Sequence, residues 1–310
     1  MKAYTIFDDF DNDAAKIIKS AGIELTIHPK GKPRPDLQEI KTLLDNYDII
    51  MISTAQKITS EMLNKYDSKK IIATVSIGKD HIQISDNKKD NVKIVNAPTA
   101  SAVSVAEYVF GTILTHKKRI IEGNTLFSEG KDKKHLLVKP VDLYGKTIGV
   151  IGAGTISVKI MQIAKAFGMN IVCYTYHPEN HPEIRDMGIS FIELNELIKT
   201  SDIISLNMPS NDITRNMISS EKIDLMKNDA CFVSVSRLDL VDINALEKKA
   251  LNNPMFTAAL DVDLFSNRSI CKCKNIILTP HIAGGTVESR KRMFVEVSQN
   301  IVNCLKEWRY

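Results

Sequence analysis

The chain lacks any apolar run near the roughly 20 residues that a membrane-spanning helix needs. Its opening stretch, MKAYTIFDDFDNDAAK, is charged where a secretory leader is apolar. These absences argue against a membrane partner and predict a cytoplasmic protein. Cysteine is scarce and odd in number: five in all, with only Cys271 and Cys273 close together. A disulfide framework is therefore not expected. The CKC stretch has no second Cys or His pair at zinc-site spacing, so no metal is expected. Excess charge is missing too: the net charge is +4 over 310 residues, with the lysines spread along the chain. No basic stripe marks a nucleic-acid footprint. Internal repeats and low-complexity segments are also absent.

What is present is a rhythm. AYTIF, IELTIH, DIIMIS, KIIATVS and VKIVNAP are short β-rich runs, and the first four alternate with helical patterns such as DAAKIIKSAG and DLQEIKTLLDNY. A long helical pattern follows from about Ser101 to about Ile121, with Val105, Val109, Ile113 and Leu114 on one face. The polar, lysine-rich SEGKDKKHLLVKP interrupts the rhythm and reads as an exposed loop. The alternation then resumes through KTIGVIG, NIVCYTY, ISFIEL, IISLNM, ACFVSVS, FTAALDV and NIILTP. Two successive βα series predict an α/β protein with two doubly wound parallel-sheet domains. The last helix, about Val287 to Trp308, carries Phe294, Val297, Ile301, Leu305 and Trp308 on one stripe.

KTIGVIGAGTISVKIMQIAKAFG sets strand, glycine turn and helix in order. Gly152 permits a tight turn after the strand Thr147 to Ile151. Gly154 lets the backbone approach a pyrophosphate at the positive helix N-terminus. The third glycine of the dinucleotide fingerprint would stand at position 157, which is Ser157. The next strand ends in Tyr174-Thr175-Tyr176-His177, without the carboxylate that usually holds an adenosine ribose. No arginine stands there to grip a 2′-phosphate either. The cofactor expectation is therefore NAD or NADP, left open between the two.

Three further stretches complete a constellation. Arg237 follows a buried-looking strand and precedes a helix opened by Asp242; FTAALDV ends beside Asp261; LTPHIAGGT holds His281. An arginine there can aim a bidentate fork into a cleft at the strand's carboxyl end. With these motifs the chain resembles the D-2-hydroxyacid dehydrogenase family. TVSIGKDHIQI is similar to its substrate loop, VNAPTASAVSVAEYV to its N-x-P…VAE segment, LYGKTIGVIGAGTI to its cofactor loop, SDIISLNMP to the next strand, and ILTPHIAGGT to its histidine motif.

The resemblance implies a Rossmann NAD(P)-binding domain, residues 100–281, inserted in a flavodoxin-like substrate domain made of residues 1–99 and 282–310. It implies that the long helix crosses between domains, that the last helix packs on the substrate domain, and that the protein is a homodimer. By position, Arg237 would bind the carboxylate or carbonyl of a small 2-keto or 2-hydroxy acid, and His281 would donate the proton. Backbone N–H groups of Ser76, Ile77 and Gly78 would hold the carboxylate. The cofactor would meet Gly152, Ala153, Gly154, Thr155 and Ile156, then Tyr174, Thr175, Tyr176 and His177. Ser104, Met208, Pro209, Val235, Ser236, Arg237, Asp261, His281, Ala283 and Gly284 complete that set.

The chain departs from the family at several of these places. The glutamate that partners the family histidine falls at Ser266, and Leu238 follows the arginine where a small residue is usual. A serine supplies no charge to an imidazolium. Asp263 offers another partner, because it shares a strand face with Asp261 if the strand continues. The expected function is an NAD(P)-dependent 2-hydroxyacid dehydrogenase acting as a ketoacid reductase, of the glycerate/hydroxypyruvate, glyoxylate or phosphoglycerate type. The alternative is a catalytically weakened NAD(P)-binding relative that acts as a sensor or interaction protein.

Overall fold

The computed structural model describes residues 1–88, 90–263 and 269–308. The chain begins with β1 (Lys2–Thr5), α1 (Asn12–Ser20), β2 (Glu24–Ile27), α2 (Leu37–Asn46), β3 (Ile49–Ile52), α3 (Ser60–Asn64), β4 (Lys70–Thr74) and β5 (Val92–Val95). It continues with α4 (Ala102–Lys117), α5 (Ile120–Ser128), β6 (Thr147–Ile151), α6 (Thr155–Ala166), β7 (Asn170–Tyr174), α7 (Pro182–Asp186), β8 (Ser190–Phe191) and α8 (Leu194–Thr200). Then come β9 (Ile203–Leu206), α9 (Ser220–Leu225), β10 (Cys231–Ser234), α10 (Ile243–Asn252), β11 (Thr257–Asp261), β12 (Ile276–Thr279) and α11 (Val287–Glu307). Two compact units result: Met1–Ser101 with Val287–Tyr310, and Ala102–Thr286 between them in the chain. The expected boundaries lay at 99/100 and 281/282. The observed ones leave the whole 279–286 loop, which carries His281, in the central unit.

The first unit holds a five-stranded sheet in the order β2-β1-β3-β4-β5, every pair parallel. This is the flavodoxin-like order. β3, Ile-Ile-Met-Ile, is buried at every position, as a central strand covered on both faces must be. α1 begins where the Asp11 carboxylate accepts the N–H groups of Asp13 and Ala14. α2 begins with a capping box between Asp36 and Glu39. α11 belongs to this unit: Phe294, Val297, Ile301 and Leu305 enter its core, and the Phe294 ring packs 5.3 Å from Phe7 and 4.9 Å from Phe10.

The central unit holds seven parallel strands in the order β12-β11-β10-β9-β6-β7-β8. The order reverses between β6 and β9, the switch point of a Rossmann sheet. Strand residues alternate between two cores. Ile204, Leu206, Phe232, Ala258 and Leu260 enter one; Ile203, Cys231, Val233 and Ala259 enter the other. Both domains are thus α/β with doubly wound parallel sheets.

Two local expectations need correction. The helix read from Ser101 to Ile121 is two helices, broken where Arg119 takes a left-handed backbone, φ 56°. The apolar rhythm runs on through Ile120 and Ile121, so periodicity alone carries no mark of the break. ISFIEL forms only the two-residue edge strand β8, which pairs with β7 alone.

Candidate functional site

The carboxyl ends of parallel strands gather the chemistry of an open α/β sheet. In the central unit the segments after β6, β7, β9, β10, β11 and β12 all leave that one edge. They carry Gly152–Ile156, Thr175–His177, Met208–Pro209, Val235–Arg237, Asp261–Asp263 and His281.

Gly152 has φ 109°, and a Cβ there would stand 2.8 Å from the Asn207 carbonyl oxygen and 3.3 Å from Met208 Sδ. Both the angle and the space require glycine. Gly152 N–H donates to the Tyr174 carbonyl at 2.8 Å, which ties the turn to the end of β7. Gly154 caps α6 in extended backbone, and a Cβ there would meet no atom within 4 Å. A backbone cradle facing open space at a helix N-terminus fits a pyrophosphate. Ser157, at the third-glycine position, is fully buried, and its hydroxyl has no hydrogen-bond partner among the described residues. The small side chain permits close packing at the cost of one buried unpaired hydroxyl.

A cavity of about 340 Å³ adjoins this turn, lined by Ala153, Gly154, Thr155, Val158, Lys159, His181 and Glu183. Its basic groups are Lys159 and His181, and His181 Nδ1 lies 3.0 Å from Glu183 Oε1. At the exit of β7, Thr175 is half-buried while Tyr176 and His177 are exposed, with His177 Nδ1 3.2 Å from Glu179 Oε1.

The histidine loop is the most tightly specified part. His281 is a non-glycine residue at φ 53°. Such backbone is costly and persists only where neighbours over-determine it. Here the neighbour is Asp261, 2% exposed. Its Oδ1 accepts from the Thr279 hydroxyl at 2.5 Å and the Ile282 N–H at 2.8 Å, and its Oδ2 accepts from the Ala283 N–H at 2.7 Å. One carboxylate therefore grips the loop on both sides of His281. Asp261 stands among the residues that the resemblance assigns to the cofactor; both of its oxygens are engaged with the loop. α4 adds two hydroxyl contacts one turn apart: Tyr108 Oη lies 2.6 Å from Thr279 Oγ1, and Ser104 Oγ lies 2.9 Å from Thr286 Oγ1. Sequence reasoning missed Tyr108 and Thr279. The only available signal was the i, i+4 spacing of Ser104 and Tyr108, which puts both on one helix face.

His281 is solvent-exposed, and its Nδ1 lies 2.9 Å from Asp263 Oδ1. An ionised carboxylate only accepts, so Nδ1 carries a proton and Nε2 is the nitrogen left for proton exchange. Ser266, the position of the family glutamate, lies outside the described residues. Arg237 is half-buried and caps the short turn Leu238–Leu240. Ser236 hydroxyl and Val235 N–H both donate to the Leu206 carbonyl, which joins the ends of β9 and β10.

Ser76, Ile77 and Gly78 belong to the first unit, after β4. Their carbonyls accept from Ala97 N–H, Asn96 Nδ2 and the Ser76 hydroxyl, respectively. Among the described residues no protein acceptor takes the three N–H groups of this turn. No three His, Cys, Asp or Glu side chains among the described residues gather as a metal would need. Cys271 is exposed and Cys273 buried.

Comparison with known proteins agrees with this architecture. The family described as "D-isomer specific 2-hydroxyacid dehydrogenase, NAD binding domain" matches residues 110–283. A hydroxypyruvate reductase of Thermotoga maritima is 31% identical over 300 residues, 95% of each chain. A glyoxylate reductase of Thermococcus litoralis is 33% identical over 307 residues, 96% of this chain and 91% of the relative. The solved structure of an acyclic imino acid reductase in complex with NADPH and D-Arg superposes with a TM-score of 0.86 at 27% identity, covering 99% of this chain and 98% of that one.

Proposed function

We propose, for a chain that belongs to the D-isomer specific 2-hydroxyacid dehydrogenase family, that it reduces small 2-keto acids with NAD(P)H, hydroxypyruvate and glyoxylate being the favoured substrates. The observation that carries this reading is His281: it leaves the sheet edge that holds the glycine turn, in costly backbone, with its Nδ1 on Asp263. In this reading the bound nicotinamide supplies the hydride. Gly152, Ala153, Gly154, Thr155 and Ile156 hold the pyrophosphate; the β7 exit holds the adenosine ribose; Ser104, Met208, Pro209, Val235, Ser236, Ala283 and Gly284 line the remainder. Arg237 supplies the planar fork for the substrate carboxylate or carbonyl. The N–H groups of Ser76, Ile77 and Gly78 are further donors for the carboxylate. His281 Nε2–H gives its proton to the carbonyl oxygen, and Asp263 keeps the ring in the tautomer and orientation that this needs.

The test is oxidation of NADH and NADPH followed with glyoxylate, hydroxypyruvate, pyruvate and phenylpyruvate from pH 5 to 8. Oxidation of the reduced cofactor that depends on the added ketoacid is expected. No turnover with any of them, alongside measurable cofactor binding, overturns the reductase in favour of a cofactor-sensing protein. The same reading makes the protein a cytoplasmic homodimer.

A further inference from the structure

We infer that Tyr108 is a positioning residue for His281: from α4 it holds, through the Thr279 hydroxyl, the loop that carries the histidine. This rests on His281 being the proton donor of the proposed function. The direction of the hydrogen bonds follows from the acceptor at the far end. Asp261 is the acceptor in this arrangement: its two oxygens take two backbone N–H groups and the Thr279 hydroxyl. The single proton of Thr279 is thereby committed to Asp261. Tyr108 must then donate to Thr279 Oγ1, across 2.6 Å. The result is a one-way chain, Tyr108 O–H to Thr279 O–H to Asp261, in which each bond polarises the next. Burial pushes the Tyr108 phenol above its ordinary range, so it stays a donor throughout the working pH span.

The chain matters because of what lies between its anchors. Thr279, Ile282 and Ala283 are fixed by Asp261, and His281 sits among them at φ 53°. A left-handed histidine relaxes toward ordinary backbone if its flanks loosen. Relaxation turns the ring away from its aim, while the glycine turn, far earlier in the chain, is untouched. Ser104, one helical turn before Tyr108, contacts Thr286 at 2.9 Å, so α4 steadies the far side of the same loop. Tyr108 is the informative probe, since Ser104 already stands among the residues assigned to the cofactor.

The experiment uses the full chain and compares Tyr108→Phe, Thr279→Val, the double variant and His281→Asn. For Tyr108→Phe, kcat is expected to fall roughly 5- to 20-fold, in line with one lost hydrogen bond and a sub-ångström misplacement. KM for the ketoacid and the fluorescence-measured Kd for NAD(P)H stay within about twofold. In the cofactor-free protein, the ¹³Cα resonance of His281 moves from its left-handed position. Thr279→Val cuts the chain at its next link without altering α4, and carries the same test by itself. The double variant falls no further than Thr279→Val alone. A wild-type kcat in Tyr108→Phe, an unmoved His281 resonance, or additive losses in the double variant overturns the inference. His281→Asn separates the two claims: unchanged turnover there refutes the proton-donor reading, whereas its collapse beside a wild-type Tyr108→Phe refutes only the positioning role.

Discussion

At the residue scale, the partner of His281 is an aspartate just past the end of a strand. β11 ends at Asp261, but the Val262 N–H donates to the Thr279 carbonyl at 3.1 Å and carries the ladder one step further. The alternation of faces therefore persists to Asp263, which is why a strand-face argument could find it. Asp263 is well exposed, so its pull on the ring is screened by solvent. Asp263→Asn should lower kcat for ketoacid reduction by about tenfold, less than loss of a general acid itself costs, because His281 remains. Cofactor affinity should not change. Steady-state kinetics with a fluorescence titration of NAD(P)H checks both, and an unaffected kcat would show that Asp263 is only a surface ion-pair partner. The Tyr108–Thr279 contact was not legible in the same way: it joins residues 171 apart, and no local pattern announces such a meeting.

At the element scale, strand and glycine-turn positions were readable because burial on both faces of a parallel sheet and steric need leave marks in residue type. Gly152 is the clearest case, since any side chain would strike the Asn207 carbonyl. The break at Arg119 left no mark, because a left-handed arginine resembles any other arginine in sequence. α4 has one more property that only packing reveals. His116 is buried and its Nε2–H donates to the Ala258 carbonyl of β11 at 2.8 Å. Burial, opposed by that bond and aided by Arg119 and Lys117, pushes its pKa down to about 4. In the unfolded chain it titrates near 6.5. The folded state binds this proton less readily, so the stabilisation is complete above about pH 6.5 and is lost as pH falls toward 4. By pH 5 the loss is about 2 kcal/mol. His116→Gln keeps a donor and removes the titration, so urea unfolding at pH 7 and pH 5 should differ less than in the parent. An equal difference would place the acid sensitivity elsewhere. The β7 exit yields a second prediction. In the proposed site Thr175 would put no carboxylate beside a 2′-phosphate, so NADPH should be accepted. Thr175→Asp should raise the NADH-to-NADPH ratio of kcat/KM at least tenfold, by charge repulsion; an unshifted ratio would mean that another group makes the choice.

At the scale of the whole molecule, α5 presents an apolar face. Ile120, Ile121 and Phe127 are exposed, Phe127 to 84%, and Leu137 beyond the helix is exposed to 76%. The homodimer of the proposed function would bury these side chains. Light scattering after gel filtration should give about twice the 34.7 kDa chain mass for the parent and the chain mass for Phe127→Lys. A monomeric parent would refute the dimer. The order of the chain has a last consequence, for the ribosome. The core around Phe7 and Phe10 needs Phe294, Val297 and Ile301 of α11. Those residues are made only after the whole of Ala102–Thr286. At about 5–20 residues per second the nascent first hundred residues wait roughly 10 to 40 s for them. During that interval the central unit is itself still being made, and the apolar groove on Phe7 and Phe10 stands open.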